Sequence, residues 1–115
     1  MFIDDSVRLL HMREAAREAL SFVKNCTRND FDNNRMLTLS VVKCVEIVGE
    51  AASRISKDRQ NELQNIPWSQ LISMRNRLTH AYFDINLDIV WSTVTEDLPV
   101  LLAELETIVD DNPQK

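Results

Sequence analysis

The chain has 115 residues, a net charge of −5, 44% hydrophobic residues and 27% charged residues. These values predict one globular domain, residues 1–115, rather than a disordered segment. One glycine and three prolines argue against a turn-rich β fold, and the isolated Gly49 argues against glycine-rich phosphate loops. The acidic balance is a poor electrostatic footprint for broad nucleic-acid binding, so any such activity requires a local basic patch or a small footprint.

The first helical segment carries an apolar stripe at steps of three and four residues, which is the spacing of an amphipathic helix. The stripe consists of Leu9, Met12, Ala16, Ala19 and Val23. The following stretch, "NCTRNDFDNN" (25–34), is rich in Asn and Asp, so we expect the helical pattern to break there.

The second segment is predicted to run from Asn34 to Ile55. Gly49 lies inside it, where glycine costs about 1 kcal/mol relative to alanine. We therefore expect another backbone to approach closely at Gly49, Ala51 and Ala52. Its main apolar stripe consists of Leu37, Val41, Val45, Val48, Ala52 and Ile55.

Glu46 and Glu50 share another face of this second helix, since they are four residues apart. Two interpretations stay open for them. They are either solvated, or they face cations from another helix.

The rest of the chain holds two further helices. Residues 56–66 form a polar connection with a possible short helical turn, and Pro67 opens a third helix at a favoured position. The buried face of that helix is predicted to contain Trp68, Leu71, Ile72, Leu78 and Thr79.

Residues 84–86 offer N-caps for the last helix, which Pro99 should kink. The last helix repeats Leu87, Val90, Trp91, Val94, Leu98, Leu101, Leu105 and Ile108. The predicted fold is all-α, an up-down bundle of four main helices plus a possible short helix.

Cys26 and Cys44 do not form a metal-ligand spacing with each other or with the two histidines, so we expect reduced thiols, no metal and no cofactor. The N-terminus, "MFIDDSVRLL", has acids where a signal peptide needs cations. No apolar run approaches the roughly 20 residues that cross a bilayer. We therefore expect a soluble, cytoplasmic protein that makes no membrane contact.

A polar cluster ends the third helix in "MRNRLTHAYF" (74–83), with Arg75, Asn76, Arg77, His80 and Tyr82. One interpretation is a basic helix end that suits the helix dipole. The other is an active site, because histidine moves protons near neutral pH, arginine holds phosphate oxygens and asparagine can orient either group. Without metal ligands or a phosphate loop, this set suits cleavage of RNA by its own 2′-hydroxyl.

RNA cleavage of this kind usually needs two proton-transfer groups. The sequence offers one suitably placed histidine, so we expect a symmetric dimer that brings two copies of His80 together.

The spacing Arg75-x4-His80-x-Tyr82 resembles the motif of HepT-like toxins in the HEPN superfamily, with Asn76 matching the polar residue that commonly follows the arginine. The flanks "VEIVGEAASRIS" (45–56) and 66–102 resemble that family as well. The resemblance implies a small helical dimer, HEPN-like in fold, with both motifs lining one cleft. It also implies a metal-independent endoribonuclease toxin in which Arg75 and His80 are catalytic and Asn76 supports them. We expect 2′,3′-cyclic phosphate products.

The same resemblance implies a partner, a minimal nucleotidyltransferase antitoxin that transfers AMP from ATP to Tyr82. Added phosphates would place bulk and negative charge at an anion-binding cleft. The resemblance assigns no role to Glu46, Glu50 or Arg54; a contact with Arg75 or across the dimer is a separate hypothesis. Two alternatives stay open, namely a non-catalytic nucleotide-binding or nucleotidyltransferase-partner subunit, and a purely structural dimer module.

Overall fold

A computed structural model of the chain describes residues 4–80 and 85–109, and the regular secondary structure within these ranges is helical. In chain order the elements are α1 (Asp5–Val23), α2 (Arg28–Asn33), α3 (Arg35–Ser53), α4 (Lys57–Glu62), α5 (Trp68–His80), α6 (Leu87–Ser92), a π-helical segment (Thr93–Asp97) and α7 (Leu98–Ile108).

Four main helical stretches form the predicted all-α, up-down bundle: α1, α3, α5 and the run from α6 to α7. Helix α3 packs against both α1 and α5, and α7 packs against α1. The predicted stripe of α3 forms the centre of the core, with Val41, Val48 and Ala52 fully buried. Because α3 packs against α1 on one side and α5 on the other, the side chains of all three helices are held in fixed positions relative to one another.

Residues 25–34 contain a short helix, α2, where the sequence predicted only a break. Thr27 and Asp30 cap its start reciprocally, because the Thr27 hydroxyl accepts from the Asp30 amide at 3.0 Å and the Asp30 carboxylate accepts from the Thr27 amide at 2.9 Å. Phe31 is fully buried, and its ring centroid lies 5.2 Å from that of Trp91. The reciprocal cap and the buried aromatic ring both help to hold this polar segment in a helical turn.

The possible short helix after α3 is present as α4. Ser56 caps its start and donates its hydroxyl to the Asp5 carboxylate at 2.6 Å. Gln60 is buried and donates to the Ile55 carbonyl at 3.1 Å, which satisfies an acceptor just beyond the end of α3. These bonds connect the start of α1, the end of α3 and the start of α4.

Helix α5 begins directly after Pro67, as predicted, and it buries Leu71 and Leu78. The prediction that Thr79 is buried is wrong, because its side chain is exposed. Thr79 follows Arg75 by four residues and therefore shares the arginine's side of the helix rather than that of Leu78.

The last stretch begins at α6, where the Asn86 side chain accepts from the Ile89 amide at 3.2 Å, as the predicted N-cap. A π-helical segment, Thr93–Asp97, lies immediately before α7, and the kink predicted at Pro99 stays a prediction. Proline has no amide hydrogen, so it cannot donate the regular helical bond to Thr95. Leu98 and Leu105 remain fully buried beyond the interruption.

Candidate active site

Gly49 of α3 packs tightly against α5. A Cβ built on Gly49 would lie 2.6 Å from the Leu71 carbonyl oxygen and would also collide with the Cβ of Arg75. The expected close approach of another backbone is thus found at Gly49. The contact fixes where Arg75 leaves α5, directly over the glycine.

The Arg75 side chain is half-buried and forms an ion pair with the next residue of α3. Its Nη1 lies 3.3 Å from Oε2 of Glu50, while Oε1 of Glu50 accepts from Nε of Arg54 at 2.8 Å. The hydrogen bond from Arg54 holds the pKa of Glu50 below its usual value, and the charges of Arg75 and Arg8 act in the same direction. Of the two interpretations for Glu50, the contact with a cation from another helix is confirmed, as is the hypothesis that it contacts Arg75.

One hydrogen-bond donor of the Arg75 guanidinium has no acceptor among the described residues. The Nε of Arg75 is buried and has no hydrogen-bond acceptor among the described residues. An arginine fork normally places its donors against paired oxygens of a carboxylate or phosphate. The present pairing with Glu50 uses Nη1, so it does not satisfy the whole guanidinium.

Arg75 lines an open cleft of about 300 Å³ between α1, α3 and α5. The charged or titratable side chains on its walls are Arg8, His11, Lys43, Glu46, Glu50 and Arg75. Glu46 lies 3.9 Å from the Lys43 ammonium, and Glu50 is paired as described. Because the two carboxylates are matched by nearby cations, the cleft can accept an anion although the chain as a whole is acidic.

The structure places two of the predicted site residues, Arg75 and Asn76, on different surfaces of one chain. Arg75 faces the cleft, whereas Asn76 is exposed and lines a separate groove of about 370 Å³ beside Lys57 and Trp68. The side chain of His80 and the whole of Tyr82 lie outside the described residues. A single chain therefore does not place Asn76 on the cleft of Arg75.

His11 was not predicted as a site residue. This residue lies on α1, far from the motif along the chain, yet its side chain reaches the same cleft as Arg75. The available signal was weak: Arg8 and His11 are three residues apart, so they lie one turn apart on the same face of α1. Only the packing of α1 against α3 and of α3 against α5 brings His11 to this cleft.

Two further observations concern the described part of the chain. No three His, Cys, Asp or Glu side chains within residues 4–80 and 85–109 are grouped as a metal-ligand set. Within the same ranges, no helix combines the length and the apolar character that a membrane span requires.

Comparison with known proteins identifies the class. A family model described as "Ribonuclease HepT-like" matches residues 12–108, a range that begins within α1 and extends to the end of α7. The chain belongs to the HepT-like ribonuclease family, and its all-α bundle is the HEPN-like fold that the motif predicted.

Curated proteins of similar length are similar to this chain over most of its sequence. A Methanocaldococcus jannaschii protein named "Putative RNase MJ1380" is 35% identical over 87% of this chain and 92% of its own length. A second protein of that organism, "Putative RNase MJ1216", is 34% identical over 90% of this chain and 85% of its own length. "Probable ribonuclease HepT" of Thermococcus cleftensis is 33% identical over 83% of this chain and 90% of its own length. No solved structure matches the chain significantly.

Proposed function

We propose that this protein is a metal-independent endoribonuclease that acts as the toxin of a toxin–antitoxin system in the cytoplasm. The observation that supports the proposal best is the position of Arg75. The arginine of the family motif lines an open cleft whose other cations are Arg8 and Lys43, and its Nε has no acceptor among the described residues. Such a guanidinium is suited to hold the oxygens of an RNA phosphate.

The proposed reaction is transesterification within the RNA. The 2′-oxygen attacks the adjacent phosphorus, the bond from phosphorus to the 5′-oxygen breaks, and a 2′,3′-cyclic phosphate results. Arg75 stabilises the charge that develops on the phosphoryl oxygens, and His80 transfers a proton. Asn76 is proposed as a supporting residue, and its exposure leaves it accessible to the second copy of a homodimer.

The proposed regulation is AMP transfer from ATP to Tyr82 by a minimal nucleotidyltransferase antitoxin. Tyr82 follows His80 by two residues, so a phosphate attached there would add negative charge next to the motif. Intact-mass measurement after incubation with the partner and ATP tests this step. Added mass is expected in the wild type and not in Tyr82→Phe; labelled AMP on another residue would contradict the assignment.

The central experiment is RNA cleavage by the isolated protein in EDTA. We expect the wild type to cut and to leave cyclic phosphate ends, and we expect Arg75→Ala and His80→Ala to abolish cutting while circular dichroism shows an intact helical fold. Arg77→Ala is the matched control, because Arg77 is exposed at the same end of α5 and lines a different cavity. The enzyme proposal is wrong if the wild type, free of antitoxin and of added mass on Tyr82, leaves varied RNAs intact.

The dimer has a separate test. Sedimentation at micromolar concentration should give twice the mass of one chain. A monomer under conditions in which RNA is cut would remove the site built from two copies of His80.

A second candidate is a non-catalytic subunit that binds a nucleotide or serves a nucleotidyltransferase. The pairing of Arg75 with Glu50 favours it, because a carboxylate already occupies part of the guanidinium that catalysis would need. Nucleotide binding without any RNA cleavage by the unmodified protein would support this candidate over the first.

A further inference from the structure

The Arg8 side chain of α1 is a half-buried cation without a direct partner in the described part of the chain. It lines the same cleft as Arg75, and it makes no hydrogen bond or ion pair with the described residues. Partial removal of a guanidinium from water is costly unless an opposite charge compensates it. The position of Arg8 on a cleft wall therefore indicates that a bound ligand supplies the anion.

The carboxylate of Glu50 is near Arg8 but is already occupied by two other arginines. Its Oε1 accepts from Nε of Arg54 at 2.8 Å, and its Oε2 lies 3.3 Å from Nη1 of Arg75. The hydrogen bond from Arg54 lowers the pKa of Glu50 most, and the charge of Arg8 adds to the effect. Arg8 thus acts on Glu50 through its field, and its own hydrogen-bond donors remain available.

Arg8 and Arg75 enter the cleft from different helices. Arg8 is on α1 and Arg75 is on α5, whereas Glu50 is on α3, the helix against which both others pack. Because the lowered pKa keeps Glu50 ionised near neutral pH, its charge repels a phosphate placed between the two guanidinium groups. Each arginine can instead hold a phosphate on its own side. The cleft therefore suits two successive phosphates of a strand better than a single one.

The other groups on the cleft walls do not cancel the charge of Arg8. Glu46 has a cation of its own, because the Lys43 ammonium lies 3.9 Å away. Three cations and two carboxylates line the cleft, although the net charge of the whole chain is −5. The excess of positive charge at this one place is the local basic patch that an acidic chain requires to bind RNA.

We propose that Arg8 is an RNA-binding residue that holds the phosphate next to the one on Arg75. This inference rests on the proposed ribonuclease function, because it adds a contact to the same substrate. A contact with the backbone of the strand contributes affinity and register rather than sequence preference. Arg8 takes no part in the making or breaking of bonds.

The experiment measures the binding of a mixed-sequence single strand of about ten nucleotides in which 2′-fluorine replaces every 2′-hydroxyl. This RNA keeps its phosphates but has no 2′-oxygen to attack them, so binding is separated from cleavage. Dissociation constants are determined at several salt concentrations for the wild type, Arg8→Gln, Arg8→Lys and the double variant Arg8→Gln/Arg75→Gln. ATP binding and thermal midpoints are measured alongside.

Arg35→Gln is the matched control. Arg35 is an exposed arginine at the start of α3 that does not line the cleft, and its loss changes the net charge by the same amount. A general effect of net charge would appear equally in this variant. An effect of the cleft would not.

We expect Arg8→Gln to weaken RNA binding about 10- to 100-fold, as the loss of charge-assisted hydrogen bonds does. The slope of log K against log salt should fall by about 0.7, the value for one phosphate contact on a single strand, and by about 1.4 in the double variant. Arg8→Lys should keep the wild-type slope because the charge remains, and Arg35→Gln should keep both slope and affinity. In cleavage of native RNA, Arg8→Gln should raise KM and change kcat less than about threefold, since Arg8 contacts a phosphate that does not react.

Four results overturn the proposal. The salt slope of Arg8→Gln could equal that of the wild type, or Arg8→Lys could lose as much slope as Arg8→Gln. A double variant whose slope falls no further than that of Arg8→Gln would place both arginines on one phosphate. A loss of ATP binding without a loss of RNA binding would assign Arg8 to a nucleotide.

The outcome for Arg8 is separable from the outcome for the proposed function. In each of the four cases above, RNA cleavage by the wild type leaves the ribonuclease function intact. A wild type that binds the fluorinated RNA through Arg8 but never cuts native RNA gives the opposite result, because the ribonuclease function then fails while the Arg8 contact is retained.

Discussion

Gly49 lies directly beneath Arg75, so the residue without a side chain makes room for the arginine whose guanidinium enters the cleft. The same turn of α3 supplies Glu50, which pairs with that guanidinium at 3.3 Å. Two consecutive residues of α3 thus determine where Arg75 leaves α5 and which way its side chain points. Gly49 contributes by leaving room for the Arg75 side chain, and Glu50 contributes by an ion pair with its guanidinium.

Gly49→Ala should destabilise the protein, although alanine is the better helix former. The new methyl group would lie within 2.6 Å of the Leu71 carbonyl and against Arg75, so α3 and α5 would have to separate. We expect a loss of about 1–3 kcal/mol in the free energy of unfolding, as for other overpacked sites. Urea denaturation measures it, with Ser40→Ala on the same helix as the control. An unchanged or increased unfolding free energy for Gly49→Ala would show that the helices are not this close.

Glu50→Gln should disturb the orientation of the Arg75 side chain while changing the free energy of unfolding little. The ion pairs of Glu50 are partly exposed to solvent, so their loss should change the unfolding free energy by less than about 1 kcal/mol. RNA cleavage should fall about tenfold or more, roughly the worth of one charge-assisted hydrogen bond, because Arg75 loses the partner that orients it. Single-turnover rates measure the effect.

The matched control for this change is Glu62→Gln, which removes a comparable exposed pair with Arg59 in α4, away from the cleft. Its cleavage rate should equal that of the wild type. Equal rates for Glu50→Gln and the wild type would mean that Glu50 does not position Arg75.

Stability should depend on pH through Asp5. The Ser56 hydroxyl and amide donate to its carboxylate at 2.6 and 3.0 Å, and these bonds lower the pKa of Asp5. A lowered pKa in the folded state means that the contribution is complete above the ordinary aspartate pKa of about 3.9 and is lost as the pH falls through the folded value. Asp5→Asn should therefore be less stable than the wild type at pH 7, with the difference vanishing in acid.

Thermal midpoints measured from pH 7 down to pH 2 test this prediction. Asp97→Asn is the control, because the Asp97 side chain makes no capping hydrogen bond at the start of α7. A difference between Asp5→Asn and the wild type that is constant across this range would contradict it.

The two thiols should differ in reactivity. Burial raises the pKa of Cys44 to about 11, and the nearby carboxylate of Glu18 adds to the effect. Cys26 is partly exposed. Because the thiolate is the reactive form, iodoacetamide at pH 8 should modify Cys26 well before Cys44. Peptide mass mapping over time, with Cys26→Ser to isolate the slow site, measures the order. Equal rates in the folded protein would contradict the burial of Cys44.

The long helices were predictable because their apolar residues recur at helical spacing over many turns, as in α1, α3 and the last stretch. Helix α2 was missed because its Asn and Asp residues read as turn formers, whereas the reciprocal cap of Thr27 and Asp30 and the buried Phe31 hold it helical. The prediction that Thr79 is buried was wrong because Thr79 follows Arg75 by four residues and shares the arginine's side of α5.

Only those site residues that local sequence features mark could be predicted. Arg75 could be singled out from its spacing to His80, and Gly49 from its cost inside a helix. His11 could not be placed on the cleft, because its position depends on how α1 packs beside α3 and how α3 packs beside α5. Contacts across two helix interfaces leave no periodic signal in the sequence.

The π-helical segment Thr93–Asp97 is a place where a relative could differ from this chain by one residue in length. A π-turn contains more residues than an α-turn, so it can absorb one extra residue while the helix on either side keeps its phase. Val94 and Leu98 are both fully buried across this segment. A relative with one residue fewer here would be expected to carry an uninterrupted α-helix and still present the same apolar face to α1. A one-residue gap in a relative is therefore expected to fall at this segment.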